Sequence, residues 1–346
     1  MTVINTYNVA SLFAGVGGIC LGFKNAKVKD KSYQLVLANE LDKNAAITYK
    51  HNFKHDLIHM DINEALKTKK SELTKHKVDV LTAGFPCQAF SIAGERQGFK
   101  DPRGTLFWSI IEYIKLLEKT VGKPRILFLE NVKNLKTHDD GNTYKTIIKS
   151  LNDIGYKTKD AVLNTYKYCE LPQNRERIYI IGFLNENDYK NFTFFDNLSA
   201  YETYNLTKKE KVANIKKCLL KKVDEKYFYS KERYPQYYNE LSKGITEKYE
   251  FYQFRRCQYI RKNMSGVCPT LTANMGGGGH NVPLIYVSKG KVRKLTPYET
   301  FALQGFFLYK DYSLPSIADS HLYKQAGNAV SVPIVKLIAT EILKIL

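Results

Sequence analysis

The sequence predicts a mixed α/β protein: a mostly parallel, doubly wound sheet formed by most of the chain, plus a smaller, irregular second region. Three observations predict it. Short apolar runs alternate with helical patterns through the first half, a glycine-rich turn follows the first of those runs, and the composition changes after about residue 184. Apolar strand runs separated by helices indicate parallel strands covered on both faces.

The elements follow in order. Asn8–Phe13 reads as the first strand, Gln34–Glu40 as the second and Val78–Ala83 as the third. Arg125–Glu130 is a fourth strand and Arg177–Phe183 a late fifth. Helical periodicity runs over Asp42–Asn52, Thr105–Lys119 and Asn142–Ile154. Residues 184–290 are rich in Lys, Tyr and Asn. Ten of the 25 tyrosines fall between Tyr201 and Tyr259, interleaved with Lys208-Lys209, Lys216-Lys217, Arg255-Arg256 and Arg261-Lys262. Basic residues mixed with aromatics suit contact with phosphates and packing on bases or sugars; about half of the tyrosines are expected to fill a small core instead. Val330–Leu346 returns to an apolar helical pattern and is expected to pack back on the first region.

Charge narrows the class of partner. The 346 residues include 53 Lys and Arg against 34 Asp and Glu, a formal net charge of +19. Such an excess favours a polyanion, most often nucleic acid. No run approaches the roughly 18 consecutive apolar residues of a spanning helix. Met1–Asn5 carries no basic segment followed by an apolar one, so a cytoplasmic location is expected. The six cysteines are scattered without a C-x-x-C pair, which argues against a zinc site and a disulfide scaffold. His51, His55 and His59 recur every four residues, but the helical pattern stops near Asn52 and no H-E-x-x-H is present, so no metal is expected.

The first strand runs into Phe13-Ala14-Gly15-Val16-Gly17-Gly18-Ile19-Cys20. Strand, glycine turn and helix in succession make a site where backbone N–H groups approach a ligand. The third glycine of a dinucleotide fingerprint is missing, because Cys20 stands there. Phe13 offers an aromatic face to a planar ring, and Glu40, ending the second strand, sits where a carboxylate would hold ribose hydroxyls. Asp61 ends another short apolar run and would accept from an adenine amino group. Together these suit an adenosine without phosphates, with S-adenosylmethionine as the candidate.

Gly84-Phe85-Pro86-Cys87-Gln88 follows the third strand at its C-terminal end, the edge at which open α/β sheets bind ligands. Most cysteines are buried and inert, but Pro and Gly around Cys87 suggest a fixed loop rather than a packing position. Phe128-Leu129-Glu130-Asn131-Val132 brings a carboxylate to the end of the fourth strand. Gln173-Asn174-Arg175-Glu176-Arg177 brings guanidinium groups to the start of the fifth. Thiol, carboxylate and arginine together form a constellation with a chemical use.

These residues carry a resemblance to the DNA (cytosine-5-)-methyltransferases of bacterial modification systems. The match runs in the family's order from the Phe13–Gly18 loop through Glu40, Asp61-Ile62, Cys87, Glu130-Asn131 and Gln173–Arg177. It continues through Arg293–Glu299 and Leu303–Phe306 to Gln325–Val330. It departs at Ser11, usually acidic, near Ala302, usually with an arginine, and at Phe307, usually proline. The resemblance implies a Rossmann-like methyltransferase domain at 1–188 and 322–346, a target-recognition domain at 189–290 and a hinge at 291–321. It implies that Cys87 adds to carbon 6 of a flipped-out cytosine while Glu130 holds N3 and the exocyclic amine. Arg175 would orient the ring, with Pro86, Asn131 and Arg177 in support.

For the cofactor it implies Phe13, Ala14, Gly15, Gly17, Gly18, Glu40, Leu41, Asp61, Ile62, Phe85, Leu106, Asn328, Ala329 and Val330, with S-adenosylhomocysteine as product. For double-stranded DNA it implies Ser91, Arg103, Thr270 and Gly276, Gly277, Gly278 and Gly279. The expected setting is a bacterial monomer at the nucleoid, with a cognate restriction endonuclease as a possible partner. Two alternatives stay open: the same chemistry on transfer RNA, and a silent DNA-binding module on the same fold.

Overall fold

The computed structural model describes residues 5–85, 105–203, 207–277 and 281–346. Pro86, Cys87, Ser91, Arg103, Gly278 and Gly279 therefore lie outside the described residues. The chain divides into two compact units, one formed by 1–163, 176–200 and 333–346, the other by 164–175 and 201–332.

The chain runs β1 (Asn5–Leu12), α1 (Gly18–Lys24), β2 (Lys27–Val28), β3 (Lys31–Asn39), α2 (Lys43–Asn52) and β4 (Asp56–Ile58). Then come α3 (Ile62–Thr68), α4 (Lys70–Leu73), β5 (Val80–Gly84), α5 (Thr105–Glu118), β6 (Ile126–Val132), α6 (Asn142–Asp153) and β7 (Lys157–Asn164). After α7 (Thr165–Tyr168), β8 (Glu176–Phe183) and α8 (Glu186–Asn191) return to the first unit. The second unit continues with α9 (Lys208–Cys218), β9 (Phe228–Tyr229), α10 (Pro235–Gly244), β10 (Tyr252–Arg255) and β11 (Tyr259–Lys262). It ends with β12 (Leu284–Ser288), β13 (Lys291–Lys294), α11 (Pro297–Leu303) and α12 (Asp319–Asn328), and α13 (Val332–Ile345) closes the chain.

The first unit is an eight-stranded sheet of order β2-β3-β1-β5-β6-β8-β7, with β4 beside β3. Strands β4, β3, β1, β5 and β6 are mutually parallel. The chain winds from β1 outward to β3 and β4, then crosses to β5 and β6 on the other side. The order thus reverses between β1 and β5, which is where such sheets bind ligands. The fifth expected strand is present as β8, but it runs antiparallel to β6.

The strands are apolar on both faces because both are covered. Leu81, Ala83, Leu127 and Leu129 pack with Phe107, Ile110 and Ile114 of α5 in one continuous core. On the other side Phe23 of α1 meets Phe128 edge-on at 5.2 Å. Helix α13 joins this layer, where the Tyr33 hydroxyl donates to the Ala339 carbonyl at 2.9 Å. Helix α2 starts at Asp42, whose carboxylate accepts from the amides of Asn44 and Ala45, satisfying donors that the first turn leaves open.

The second unit contains an antiparallel sheet of order β11-β10-β12-β13-β9. Tyr229, Leu241, Tyr252, Phe254, Leu284 and Val292 close a core against it. Residues 291–321, expected as a hinge, pack within this unit. Arg293 and Glu299 form a buried two-pronged ion pair at 2.7 Å. The same carboxylate caps α11 through the Thr296 amide and takes the Leu220 amide.

By length and composition Asp319–Ile345 would suffice to cross a membrane. It is broken by extended Ala329 between α12 and α13, and 67% of its most apolar window is buried inside the protein.

Helix α1 lies so close to α13 that a Cβ on Gly22 would come within 2.6 Å of the Val335 side chain. Gly22→Ala is expected to destabilise the protein by about 1–3 kcal/mol through this overpacking. Urea denaturation of the variant against the parent checks it, and an unchanged midpoint would show that the helices separate at no cost.

Candidate active site

The glycine turn after β1 is held from several directions. Phe13, Gly15 and Gly17 have φ of 54°, 56° and 85°, left-handed conformations that only glycine adopts freely. At Gly17 space is limiting as well, since a Cβ would fall 2.1 Å from the Phe53 ring. The Ala14 amide donates to the Asn39 carbonyl at 2.9 Å, and the Gly15 amide to Glu40 Oε2 at 2.7 Å. Glu40 Oε1 accepts from the Asp42 amide at 2.7 Å. Burial pushes the Glu40 carboxyl above its ordinary range, against the pull of the Asp42 and Gly15 amides.

Around this turn Leu41 is 62% exposed and Gly18 and Ala14 are buried. Asp61 spends Oδ1 on capping α3, accepting from Asn63 and Glu64. Its Oδ2 takes no hydrogen bond among the described residues, so one acceptor remains for a ligand. Ile62 and Phe85 belong to the core, with Leu106 packed against it. No Lys or Arg stands between Phe13 and Phe23. A strand-end carboxylate beside the glycine turn and an exposed apolar side chain at Leu41 are compatible with an adenosine ligand such as S-adenosylmethionine.

An unforeseen cluster buttresses the turn. The Tyr49 hydroxyl lies 3.0 Å from Cys20 Sγ and 2.7 Å from His55 Nε2. Phe53 packs against both the Tyr49 and His55 rings. Three separate segments supply these groups, so no local pattern announces them. His55 is thus a packing residue, and His59 Nε2 meets the Leu41 carbonyl. Among the described residues no group of three His, Cys, Asp or Glu side chains gathers as metal ligands.

At the neighbouring strand ends a second group assembles. Glu130, 8% exposed, lies opposite Gly84 in the β5–β6 register. Its Oε1 is 3.1 Å from Arg177 Nε, which β8 delivers. Asn131 Nδ2 donates to the Phe85 carbonyl at 2.8 Å while its Oδ1 takes the Val132 amide. Asn131 therefore fixes the last residue before Pro86-Cys87.

The expected arginines separate. Arg177 sits with Glu130 in the first unit. Arg175 precedes β8, belongs to the second unit and is buried, with its guanidinium donating to the carbonyls of Leu271, Gly327 and Ala329. Asn328, Ala329 and Val330, at the end of α12, also belong to that unit, as do Thr270, Gly276 and Gly277. Thr270 Oγ1 donates to the Asn174 carbonyl at 2.6 Å. At one departure from the family pattern, Phe307 stacks on Tyr298 at 4.0 Å.

The β10–β11 hairpin has two unlike faces. Tyr252, Phe254 and Ile260 turn to the core. Cross-strand pairs Gln253–Arg261 and Arg255–Tyr259 occupy the other face, where Arg255, Tyr259 and Arg261 are exposed. None of these guanidinium groups has a carboxylate partner among the described residues.

The cysteines differ sharply. Burial pushes the thiols of Cys20 and Cys268 up, and those of Cys169 and Cys218 up to about 12. All four stay protonated and unreactive at neutral pH. Cys257 lies in the β10–β11 turn at φ 55°.

The parallel-rich sheet with a glycine turn at its switch point is the fold of the S-adenosylmethionine-dependent methyltransferases. Two solved structures share it: the Entamoeba histolytica methyltransferase EhMeth, with TM-score 0.69 and 18% identity over 98% of each chain, and S. pombe Dnmt2 methyltransferase, with TM-score 0.68 and 18% identity over 97% of this chain and 98% of that one. The chain belongs to the C-5 cytosine-specific DNA methylases, whose family model matches residues 7–344, and is thereby a DNA (cytosine-5-)-methyltransferase, with S-adenosylmethionine as the family's methyl donor. It is 46% identical to Type II methyltransferase M.Bsp6I of Bacillus sp. (strain RFL6), over 97% of this chain and 98% of that protein. Type II methyltransferase M.HhaI of Haemophilus parahaemolyticus is 35% identical over 96% of this chain and 92% of its own.

Burial lowers the His55 imidazole from 6.5 to about 4, with Asp56 opposing and Lys24 adding to the shift. The folded state therefore binds this proton less readily than the unfolded state. Stability contributed by neutral His55 is present above pH 6.5 and is lost as pH falls towards 4. His55→Gln is expected to flatten that acid limb, read as melting temperature against pH. Parallel profiles for parent and variant would refute the assignment.

Proposed function

We propose that the protein methylates carbon 5 of a flipped-out cytosine within a specific double-stranded DNA sequence, through a covalent adduct between Cys87 and C6. The support is the Glu130–Arg177 pair beside the end of β5, together with Asn131 holding the Phe85 carbonyl just before Pro86-Cys87. Burial raises four of the other thiols, Cys20, Cys169, Cys218 and Cys268, whereas Cys87 closely follows the end of β5 in sequence.

Carbon 5 of cytosine is a weak nucleophile. Addition of the Cys87 thiolate to C6 moves the C5=C6 π electrons toward C5 and N3. Glu130 holds N3 and the exocyclic amine and shares a proton at N3 as charge builds. S-adenosylmethionine, when bound, supplies an electrophilic methyl carbon. Transfer of the C5 proton to water then re-forms the C5=C6 bond and returns the S–C6 electron pair to Cys87, while the N3 proton goes back to Glu130. Arg177, already against Glu130, keeps that carboxylate oriented and offers positive charge to the ring. Arg175, assigned to the ring from sequence, has its guanidinium engaged with three carbonyls, so this role passes to Arg177. Pro86 would support the nucleophile.

For the cofactor, Phe13 with Ala14, Gly15, Gly17 and Gly18 would surround the amino-acid and ring portions, and Glu40 the ribose hydroxyls. Leu41, Asp61, Ile62, Phe85 and Leu106 would line the adenine side, and the family resemblance also assigns Asn328, Ala329 and Val330 to the cofactor. S-adenosylhomocysteine is the product, and the thiol mechanism calls for no metal. The second unit acts as the target-recognition domain. Thr270 and Gly276–Gly279 would contact DNA, as would the outer face of the β10–β11 hairpin, and the family resemblance assigns Ser91 and Arg103 to DNA as well. A two-stranded ribbon with unpaired arginines fits the major groove. The enzyme acts as a monomer in the bacterial cytoplasm, at the nucleoid, as the modification partner of a restriction endonuclease.

Incubation with methyl-labelled S-adenosylmethionine and either duplex DNA or transfer RNA tests the reading. Label is expected in DNA, resistant to bisulfite conversion at one sequence, and label in tRNA alone would overturn it. Cys87→Ser is expected to lose methyl transfer by at least about 10³-fold while keeping DNA affinity; undiminished turnover would refute the adduct. Replacing Arg255 and Arg261 together by Ala is expected to weaken DNA binding and to reduce the slope of log K against log salt by about 1.8 if both contact phosphates. An unchanged slope would remove the hairpin from the DNA surface.

A further inference from the structure

Arg175 is 2% exposed and immediately precedes β8. Its Nη1 donates to the Leu271 carbonyl at 2.9 Å, and Nη2 donates to the carbonyls of Gly327, at 3.2 Å, and Ala329. These partners lie 96, 152 and 154 residues away along the chain. One cation thus ties the start of the Leu271–Gly277 segment to the C-terminal end of α12.

The surroundings make this a built junction. Residues 172–174 run beside 268–270, with the Cys268 amide donating to the Pro172 carbonyl at 2.7 Å and the Asn174 amide to the Cys268 carbonyl at 2.8 Å. Gln173 donates through Nε2 to the Leu303 carbonyl at 2.8 Å and accepts the Leu271 amide through Oε1 at 3.5 Å. On the far side α12 presses directly on the segment, since a Cβ at Gly327 would fall 2.1 Å from the Thr272 backbone. Helix α12 has no basic residue in its own last turn. Arg175 supplies the positive charge that its terminal carbonyls favour. A planar fork of donors can span two strands of carbonyls, which the single ammonium of lysine cannot.

We propose that Arg175 is a positioning residue for DNA recognition: it clamps the Leu271–Gly277 segment against α12, acting through backbone carbonyls and not on the reacting cytosine. This rests on the reading above that Thr270–Gly277 faces DNA. Leu271 and Met275 are buried while Thr272, Asn274 and Gly277 are exposed. The clamp therefore fixes the buried side of a segment whose other side is free to meet a ligand.

Arg175→Lys separates the possibilities. Its amides at 271–277 are expected to exchange hydrogen about tenfold faster or more, because buried charge-assisted bonds to three carbonyls are lost. Its KM for cognate duplex is expected to rise about tenfold, with kcat at saturating DNA changed less than about threefold. Gln173→Leu removes the neighbouring bonds without disturbing a buried charge. It is expected to shift exchange and KM in the same direction by a smaller factor, and it carries the test if the lysine variant does not fold. Unchanged exchange in both variants overturns the clamp. Faster exchange with unchanged DNA affinity overturns the assignment of the segment to DNA. A hundredfold fall in kcat with unchanged KM overturns the positioning role and returns Arg175 to the chemistry.

Discussion

The parallel register of β1, β5 and β6 is the constraint on which the site depends. Leu12 pairs with Ala83, and Gly84 with Glu130, so β1 and β5 end beside the Glu130 position of β6. Parallel strands share one C-terminal edge, so the glycine turn, the residues leading to Cys87 and the Glu130 carboxylate all leave the sheet there. A slip of one residue between β5 and β6 would bring Leu129 or Asn131 opposite Gly84 and turn Glu130 to the other face. Register is therefore chemistry here. It is held in place by packing, because Leu81, Ala83, Leu127 and Leu129 have almost no exposed surface and share one core with α5.

That burial is also why the first sheet was legible. Strands covered on both faces read as continuous apolar runs, and Val80–Ala83 and Ile126–Leu129 are such runs. The direction of β8 was not legible, because periodicity shows that Arg177–Phe183 is extended but not which way it points. The second sheet was missed for a different reason. Its strands are two to five residues long, and a sheet covered on one face signals itself only by alternation. Over Tyr252–Arg255 that amounts to two buried residues and two others, too few to distinguish from a loop. Tyr227, Tyr229 and Tyr252 are core residues of that unit, whereas Tyr259 is exposed.

Within the site, groups at strand ends were readable and groups set by tertiary contact were not. Glu40 and Glu130 were placed from their strands alone. Asp61 carried a second role, as the cap of α3, that its position after a short apolar run does not reveal. The sequence offers Arg175 and Arg177 two residues apart with nothing to rank them. What divides them is the point where the chain enters β8: the residue just before it is engaged by carbonyls 96 and more positions away, and the residue inside it faces Glu130. The Cys20–Tyr49–His55 cluster draws on α1, α2 and the approach to β4, so only the fold makes it visible.

Preformation of the glycine turn follows from the same packing. A non-glycine residue at φ 54°, as Phe13 is, costs on the order of 1–3 kcal/mol and persists only where its surroundings over-determine it. The surroundings here do so: Asn39 holds the Ala14 amide, Glu40 holds Gly15, and the Phe53 ring, braced by Tyr49 and His55, occupies the space over Gly17. Glu40 orders the loop by accepting the Gly15 and Asp42 amides on its two carboxylate oxygens. Because the turn is already ordered, a ligand that fits it does not bear the entropy of arranging it. The strain at Phe13 and the raised carboxyl at Glu40 are then two consequences of one arrangement, a rigid and largely buried turn.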